Sequence, residues 1–375
     1  MRILIISDAW HPQVNGVVRT LEATAHELDK TGHQVKIAGP QPSWRALRAP
    51  TYPDIRLEFF ARSRLRRLVE DFRPDFIHIA TEGPLGWAGR NVCLEQRRPF
   101  TTSYHTRFPE YLATRAPRFL SRAVRIFVYA GLRRFHAPAG AVMVATPSIE
   151  DELRRRKFRR LVRWTRGVDT DLFRPYGKDV AAYAGLPRPV LLYVGRVAVE
   201  KNLRAFLDLK TEGSKIVIGD GPDLPLLRAE YPGARFLGPR ADEDLARHYA
   251  AADLFVFPST TDTFGLVLLE ACAAGLRIAG YPAPGPVDLF VDPAARTFAA
   301  LDTDLNRAVA AALALPDNPE APRGFAMAFS WQASSRQFFA HLQAPTPLAI
   351  KRIARLRVWL SRWWQHALTL AFKHK

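Results

Sequence analysis

Cysteine is nearly absent from this chain: Cys93 and Cys272 are the two among 375 residues. Two thiols cannot build the framework of crosslinks that holds a small secreted scaffold, and their scarcity fits a reducing compartment. Long hydrophobic runs are missing as well. No uninterrupted apolar stretch approaches the ~18 residues of a membrane-spanning helix. The opening MRILIISDAW carries a four-residue apolar run, Ile3–Ile6, ended by Ser7 and Asp8. That is a buried strand, too short for the apolar stretch of a secretory signal. These absences predict a protein made and kept in the cytoplasm. Histidine and cysteine clusters at zinc spacing are absent too, as are internal repeats and low-complexity tracts. Acidic side chains are missing from Ala116–His136 and from Pro345–Lys375, and that absence bears on partners.

What is present is a globular composition, 48% apolar, in a chain long enough for two domains with separate cores. The net charge of +18 is unevenly placed. Residues 1–175 hold 31 Lys/Arg against 17 Asp/Glu, residues 176–344 hold 16 against 19, and the last 31 residues hold 7 against none. Charge serving solubility alone has little reason to gather in one half and one tail. The pattern points to an anionic surface, membrane or nucleic acid, or else to a general bias toward arginine.

Short apolar runs alternate with helical patterns, the signature of parallel α/β units. Ile3–Ile6, Val35–Ala38, Phe76–Ile79, Phe100–Tyr104 and Val142–Ala145 read as strands of one sheet. A helix from about Val17 to Lys30, stopped by Gly32, joins the first two. After Pro175 the pattern restarts with Val190–Val194, Lys215–Ile218, Leu254–Phe257 and Ile278–Gly280. A linker is expected over Arg174–Pro189, where Pro175, Gly177, Gly185, Pro187 and Pro189 cluster. Ligands of such sheets bind beyond the carboxyl ends of the strands, so chemistry-bearing residues are sought there.

The richest segment follows Leu254–Phe257 and reads Pro258-Ser-Thr-Thr-Asp-Thr-Phe-Gly-Leu-Val-Leu-Leu-Glu270. Its helix is expected to include Phe264 and Gly265 in the first turn, with Thr263 and Leu266 beside them. Free N–H groups there favour anions or sugar hydroxyls. Asp262 and Glu270 would lie roughly 12 Å apart along a helix, able to hold two ends of one extended ligand. Gly195-Arg196 ends another strand, and Glu200-Lys201-Asn202 opens the next helix. Two such cations suit a diphosphate, although an Arg and a Lys at this spacing are by themselves an ordinary surface pair. Gly219-Asp-Gly221-Pro222 closes a further strand and permits a tight turn with close approach of a ligand. In the first half, Gly16 lies in the loop Pro12–Val18 ahead of a helix. His105 follows a strand in Tyr104-His-Thr-Arg-Phe-Pro109, although a lone histidine is more often structural. Asp169-Thr-Asp171 has the form of a metal-binding Asp-x-Asp.

Taken together, these segments resemble glycosyltransferase family 4, over roughly residues 1–342 and most specifically over 190–290. The resemblance implies the α/β GT-B fold: two Rossmann-like, doubly wound domains facing a central cleft, here followed by an amphipathic helical tail. On that reading residues 1–175 form the acceptor-side domain, 188–330 the nucleotide-sugar donor domain, 331–344 a closing helix and 345–375 the basic tail. Phe329-Ser-Trp331 is similar to the family's closing motif. Asp262 and Glu270 match its Glu-x7-Glu pair, in which the first acid contacts the transferred hexose and the second the donor ribose. Asp262 is one methylene shorter than the family's Glu. Arg196 and Lys201 would then hold the diphosphate and stabilise its growing charge. Gly16, Gly195, Gly219, Gly221, Thr263, Phe264, Gly265 and Leu266 would surround the donor, and His105 would contact the sugar near the reacting carbon. The family uses neither a divalent metal nor another cofactor and places Asn-Gly-Val-Asp-x-x-x-Phe at the hinge-proximal turn. Arg166-Gly-Val-Asp-Thr-Asp-Leu-Phe173 matches that turn with Arg166 in place of Asn, so the Asp-x-Asp is not read as a metal site. Tyr281-Pro-Ala-Pro-Gly-Pro-Val-Asp288, where many members have Gly-Gly-x-x-Glu, resembles bacterial members acting on lipids.

Partners follow from the charge. Ala116–His136 mixes Arg118, Arg122, Arg125, Arg133 and Arg134 with Phe119, Leu120, Val124, Ile126, Phe127, Val128 and Leu132. The tail repeats the mixture at helical spacing, with Trp359 and Trp363. A basic helix with an apolar face suits an anionic membrane interface. A docking helix with solvated charge and a nucleic-acid surface are the other readings. The expectation is a retaining hexosyltransferase, peripheral on the cytoplasmic face of the membrane. It would take UDP-glucose first, or GDP-mannose, and a membrane lipid such as diacylglycerol, or else a soluble or polysaccharide acceptor. A nucleic-acid partner is not expected.

Overall fold

The computed structural model describes residues 1–13, 15–41, 46–49, 52–110, 117, 119–176 and 181–343. The expected tail at 345–375 and Arg118 lie outside the described residues. The described residues divide into two compact units, one formed by residues 1–165 with those from 334 to 343 and the other by 166–333.

In the first unit the strands are β1 (Arg2–Ile6), β2 (Gln34–Ala38), β5 (Phe76–Ile79), β6 (Thr101–Tyr104), β7 (Val142–Val144) and β8 (Leu161–Arg163). They form a parallel sheet in the order β2-β1-β5-β6-β7-β8. An antiparallel hairpin, β3 (Ala46–Ala49) and β4 (Tyr52–Glu58), stands apart from it. Ile3, Leu4, Ile5 and Ile6 are all fully buried, which explains the unbroken apolar run: helices cover both faces of a parallel sheet. Leu4 and Ile6 pack with Leu65, Val69, Leu85 and Val92 of the Arg62–Phe72 and Pro84–Glu95 helices. Ile3 and Ile5 pack with Leu21, Leu28, Trp164, Phe338 and Leu342. The last two come from the Trp331–Gln343 helix, so the end of the described chain completes the core of its beginning.

The second unit repeats the architecture. Its strands β9 (Val190–Val194), β10 (Ser214–Ile218), β11 (Arg235–Gly238), β12 (Leu254–Phe257), β13 (Arg277–Gly280) and β14 (Ala299–Leu301) lie in the order β11-β10-β9-β12-β13-β14. All pairs are parallel. Strand order reverses between β9 and β12, and at such a reversal the connections leave to opposite faces and open a crevice.

The change of unit at Thr165/Arg166 comes earlier than the expected linker at 174–189. Backbone packing explains the difference. Val168 N donates to Phe329 O at 3.0 Å, and Arg323 donates to the carbonyls of Thr170, Phe173 and Ala273. Gly167 has no room for a side chain, since a Cβ there would sit 2.5 Å from Trp331 N. Residues 166–173 thus belong to the second unit by their bonds. Among the described residues, no helix is long and apolar enough to cross a membrane.

Candidate active site

Two loops leave neighbouring strands at the reversal of the second sheet. Residues 195–201 follow β9 and residues 258–265 follow β12. Across the crevice Lys201 Nζ donates to Asp262 Oδ1 at 2.5 Å, both side chains 21% exposed. The same loops are tied by Thr261 Oγ1 donating to Glu200 O at 3.0 Å and Asn202 Nδ2 donating to Pro258 O at 3.3 Å. Arg196 pairs with Glu200 at 2.5 Å, the arginine side chain 39% exposed and the glutamate's 7%. Tyr193 Oη donates to Arg196 O at 2.8 Å and fixes the loop from beneath. Burial pushes the Asp262 carboxyl up. The charge and hydrogen bond of Lys201, the Ser259 hydroxyl and Arg196 outweigh that effect and hold it below the usual carboxylate range.

The loop after β12 corrects one expectation. The helix begins at Leu266, not at Phe264, and Gly265 is its left-handed N-cap at φ 86. Asp262 and Glu270 therefore share no helix, and the estimate of 12 Å along one axis does not apply. Glu270 lies inside the helix, buried, accepting from Tyr249 Oη at 2.9 Å. Thr263 is half-buried and Phe264 buried. A Cβ on Gly285, at φ 94, would come 2.7 Å from Phe264 O, so the loop after β13 backs directly onto this segment. Likewise Glu200-Lys201 lies in a short 3-10 turn, and the following helix starts at Leu203 after Asn202 in the left-handed region.

Gly219 and Gly221 serve a backbone purpose that their motif does not reveal. A Cβ on Gly219 would stand 1.9 Å from Gly195 O, and one on Gly221 2.2 Å from Val197 O. The loops after β9 and β10 are laced by Gly195 N donating to Ile218 O and Val197 N donating to Asp220 O. Only glycine lets them close that far, so these residues shape the loop carrying Arg196.

The first unit holds Gly16 and His105. Asn15 caps the Gly16–Lys30 helix, its Oδ1 accepting from Val17 N at 2.9 Å and Val18 N at 3.1 Å. The first N–H groups after Gly16, those of Val17 and Val18, are thus already engaged. His105, 8% exposed, lies edge-on to Trp164 with ring centroids 5.7 Å apart. At the reversal of this sheet, between β1 and β5, the crevice is filled from within. Asp8 accepts from Leu85 N at 2.7 Å, Gly86 N at 3.0 Å and Thr81 Oγ1 at 2.9 Å. Burial pushes its carboxyl up to about 6 against those bonds. Glu82 and His136, both nearly inaccessible, meet at 3.3 Å, and His136 Nδ1 faces Thr102 Oγ1 at 2.9 Å. Neither Asp8 nor Glu82 carries a sequence motif; Gly83 and Gly86, whose Cβ atoms would strike Asp8 or the Thr81 carbonyl, were the available signal.

The basic helix spans Ser121–His136. Val128, Leu132 and Phe135 bury one face. Phe119, Ile126 and Phe127 are 84%, 55% and 62% exposed beside exposed Arg122 and Arg133. Arg125 reaches Glu110 at 3.4 Å, Arg133 donates to Arg156 O, and Arg134 is half-buried. The expected arginine row is thus divided between solvent and structure. Asp169 spends its carboxylate on Asp171 N and Leu172 N, the bonds of an Asx turn. Arg166 is fully buried, its guanidinium pushed down to about 9 by desolvation.

Two Rossmann-like units, with paired cations and acids at the strand reversal of the second, define the GT-B glycosyltransferase class. Comparison with known proteins agrees. A model described as Glycosyltransferase Family 4 matches residues 14–172, and one described as Glycosyl transferases group 1 matches residues 188–315. The chain is 30% identical to a GDP-mannose-dependent alpha-mannosyltransferase of Mycolicibacterium smegmatis, over 81% of this chain and 85% of that one. It is 29% identical to an alpha-monoglucosyldiacylglycerol synthase of Streptococcus pneumoniae, over 85% of this chain and 80% of that one. Anabaena HepE, solved with UDP-glucose, superposes with a TM-score of 0.67 at 16% identity, covering 92% of this chain and 99% of that one. The chain belongs to glycosyltransferase family 4.

Proposed function

We propose that this glycosyltransferase moves a hexose from a nucleoside-diphosphate sugar to a hydroxyl of a membrane lipid, with the anomeric configuration retained. The observation carrying the donor half is the Lys201–Asp262 pair across the strand reversal, beside Arg196 and with Glu270 in the following helix. Arg196 and Lys201 hold the diphosphate, Glu270 the ribose, and Asp262 and His105 orient the sugar. In the transfer the bond from the anomeric carbon to the diphosphate oxygen breaks. The acceptor oxygen bonds to that carbon on the same face, and its proton passes to the leaving phosphate oxygen. No protein nucleophile and no metal takes part. The lacing at Gly195, Gly219 and Gly221 keeps the diphosphate loop preorganised, so its stabilisation of leaving-group charge costs no rearrangement during reaction.

The acceptor half rests on charge and exposed apolar surface. Phe119, Ile126 and Phe127 stand in solvent beside Arg122 and Arg133, which fits insertion into an anionic interface. The protein would act peripherally on the cytoplasmic face, with diacylglycerol or a related glycerolipid as acceptor. The relative named as a monoglucosyldiacylglycerol synthase supports this reading and makes UDP-glucose the first donor to try. The mannosyltransferase relative supports GDP-mannose as the second.

A donor panel offered with lipid extract, read by mass spectrometry, tests the proposal. A hexosylated glycerolipid is expected. Transfer only to water-soluble or polysaccharide acceptors would overturn the lipid, and salt-sensitive DNA binding without nucleotide-sugar binding would overturn the enzyme.

A further inference from the structure

The crevice cations come already neutralised: Arg196 is paired with Glu200 and Lys201 with Asp262. We propose that Asp262 is a counter-charge on Lys201 that weakens binding of the nucleoside-diphosphate product relative to the nucleotide-sugar donor, and so promotes product release. This rests on the donor-site reading above.

Lysine has three N–H donors, so Lys201 can reach a phosphate oxygen without leaving Asp262. The two acceptors of one ammonium then lie about 5 Å apart, and two like charges at that distance repel. The loop that carries Asp262 is tethered beside it, Thr261 Oγ1 donating to Glu200 O at 3.0 Å. Asp262 is not protonated at neutral pH, since Lys201 and Arg196 hold it below the usual carboxylate range against burial. A donor and its product present different charges here. Once the hexose has left, the terminal phosphate carries one more ionisable oxygen, titrating near ~6. The fixed carboxylate therefore penalises the product more than the donor. Asp262 remains close enough to solvent for an incoming ligand to meet it, with its side chain 21% exposed.

The test is calorimetric titration of the full chain with UDP and GDP and with UDP-glucose and GDP-mannose. Asp262→Asn keeps the side chain's shape and removes its charge. It is expected to tighten diphosphate binding roughly five- to tenfold, the scale of one like-charge pair at a partly exposed site, with no matching gain for the nucleotide sugar. Asp262→Ser should shift the same ratio in the same direction. Unchanged or weaker diphosphate binding in both variants would overturn the counter-charge. Lys201→Ala checks the underlying site: if it leaves diphosphate affinity intact, the donor-site reading itself fails, and the proposal with it.

Discussion

The carboxyl edges of the two sheets present the same opening and treat it differently. In the first unit the crevice between β1 and β5 is closed by Asp8, whose carboxylate is spent on two backbone N–H groups and a threonine hydroxyl. In the second, the crevice between β9 and β12 is bridged by two side chains, Lys201 and Asp262, each still partly in solvent. Backbone donors leave Asp8 nowhere else to go. A lysine has three N–H donors and can take up an arriving anion beside the carboxylate it already holds. The contrast separates a stitched edge from the proposed donor edge, although both units use the same topology rule.

The largest expected effect lies at the proposed donor edge. Lys201→Ala should lower hexose transfer by about 10²–10³-fold, the usual loss when one group stabilising a developing anion is removed. Initial rates at saturating donor measure it, and a near-native rate would erase the distinction between the edges.

Asp8 should answer to pH and stability rather than to catalysis. Its folded carboxyl titrates at about 6 against the ordinary 3.8, so the folded state binds its proton more tightly. The contribution is full below about pH 4 and is lost as pH rises through about 6, on the order of 2–3 kcal/mol. Urea unfolding of the native protein and Asp8→Asn across that interval should give curves whose difference follows this sign. Parallel curves would show that Asp8 is not the group that titrates.

A smaller effect concerns the exposed helix. Phe119→Ser with Ile126→Asn should cut binding to anionic vesicles about tenfold, by removing apolar surface that would insert. Turnover on a short-chain, detergent-dispersed acceptor should hold. Cosedimentation that does not change would detach this helix from the membrane reading. The smallest effect is expected of Tyr249→Phe, which strips one hydrogen bond from buried Glu270. A loss of about 1 kcal/mol in donor binding, seen in KM more than in kcat, is predicted.

The strands buried on both faces were legible from apolar runs alone, Ile3–Ile6 and Leu254–Phe257 among them. Of the four edge strands only β2 was, as Val35–Ala38. β8, β11 and β14 are three or four residues long and include Arg163, Arg235 and Gly238, too little pattern to rise above a loop. The β3–β4 hairpin contains Pro53 and Arg56, which weaken a strand reading further. The candidate site residues were legible as strand-end motifs, but their pairing was not. Lys201 meets Asp262 because β9 lies beside β12, and that adjacency follows from strand order rather than chain order. The buried ends of Asp8, Glu82 and Tyr249 had no spacing to announce them.

The two chain crossings, at 165/166 and 333/334, carry a consequence for biosynthesis. Phe338 and Leu342 fill the cluster around Ile3, Ile5 and Trp164, and His33 stacks on Phe339 with ring centroids 4.2 Å apart. On the ribosome, the unit made first must wait for residues made after the whole of the second. The second unit has all of its own residues before the first does, so its core can close while Trp164 still lacks Phe338 and Leu342 as neighbours.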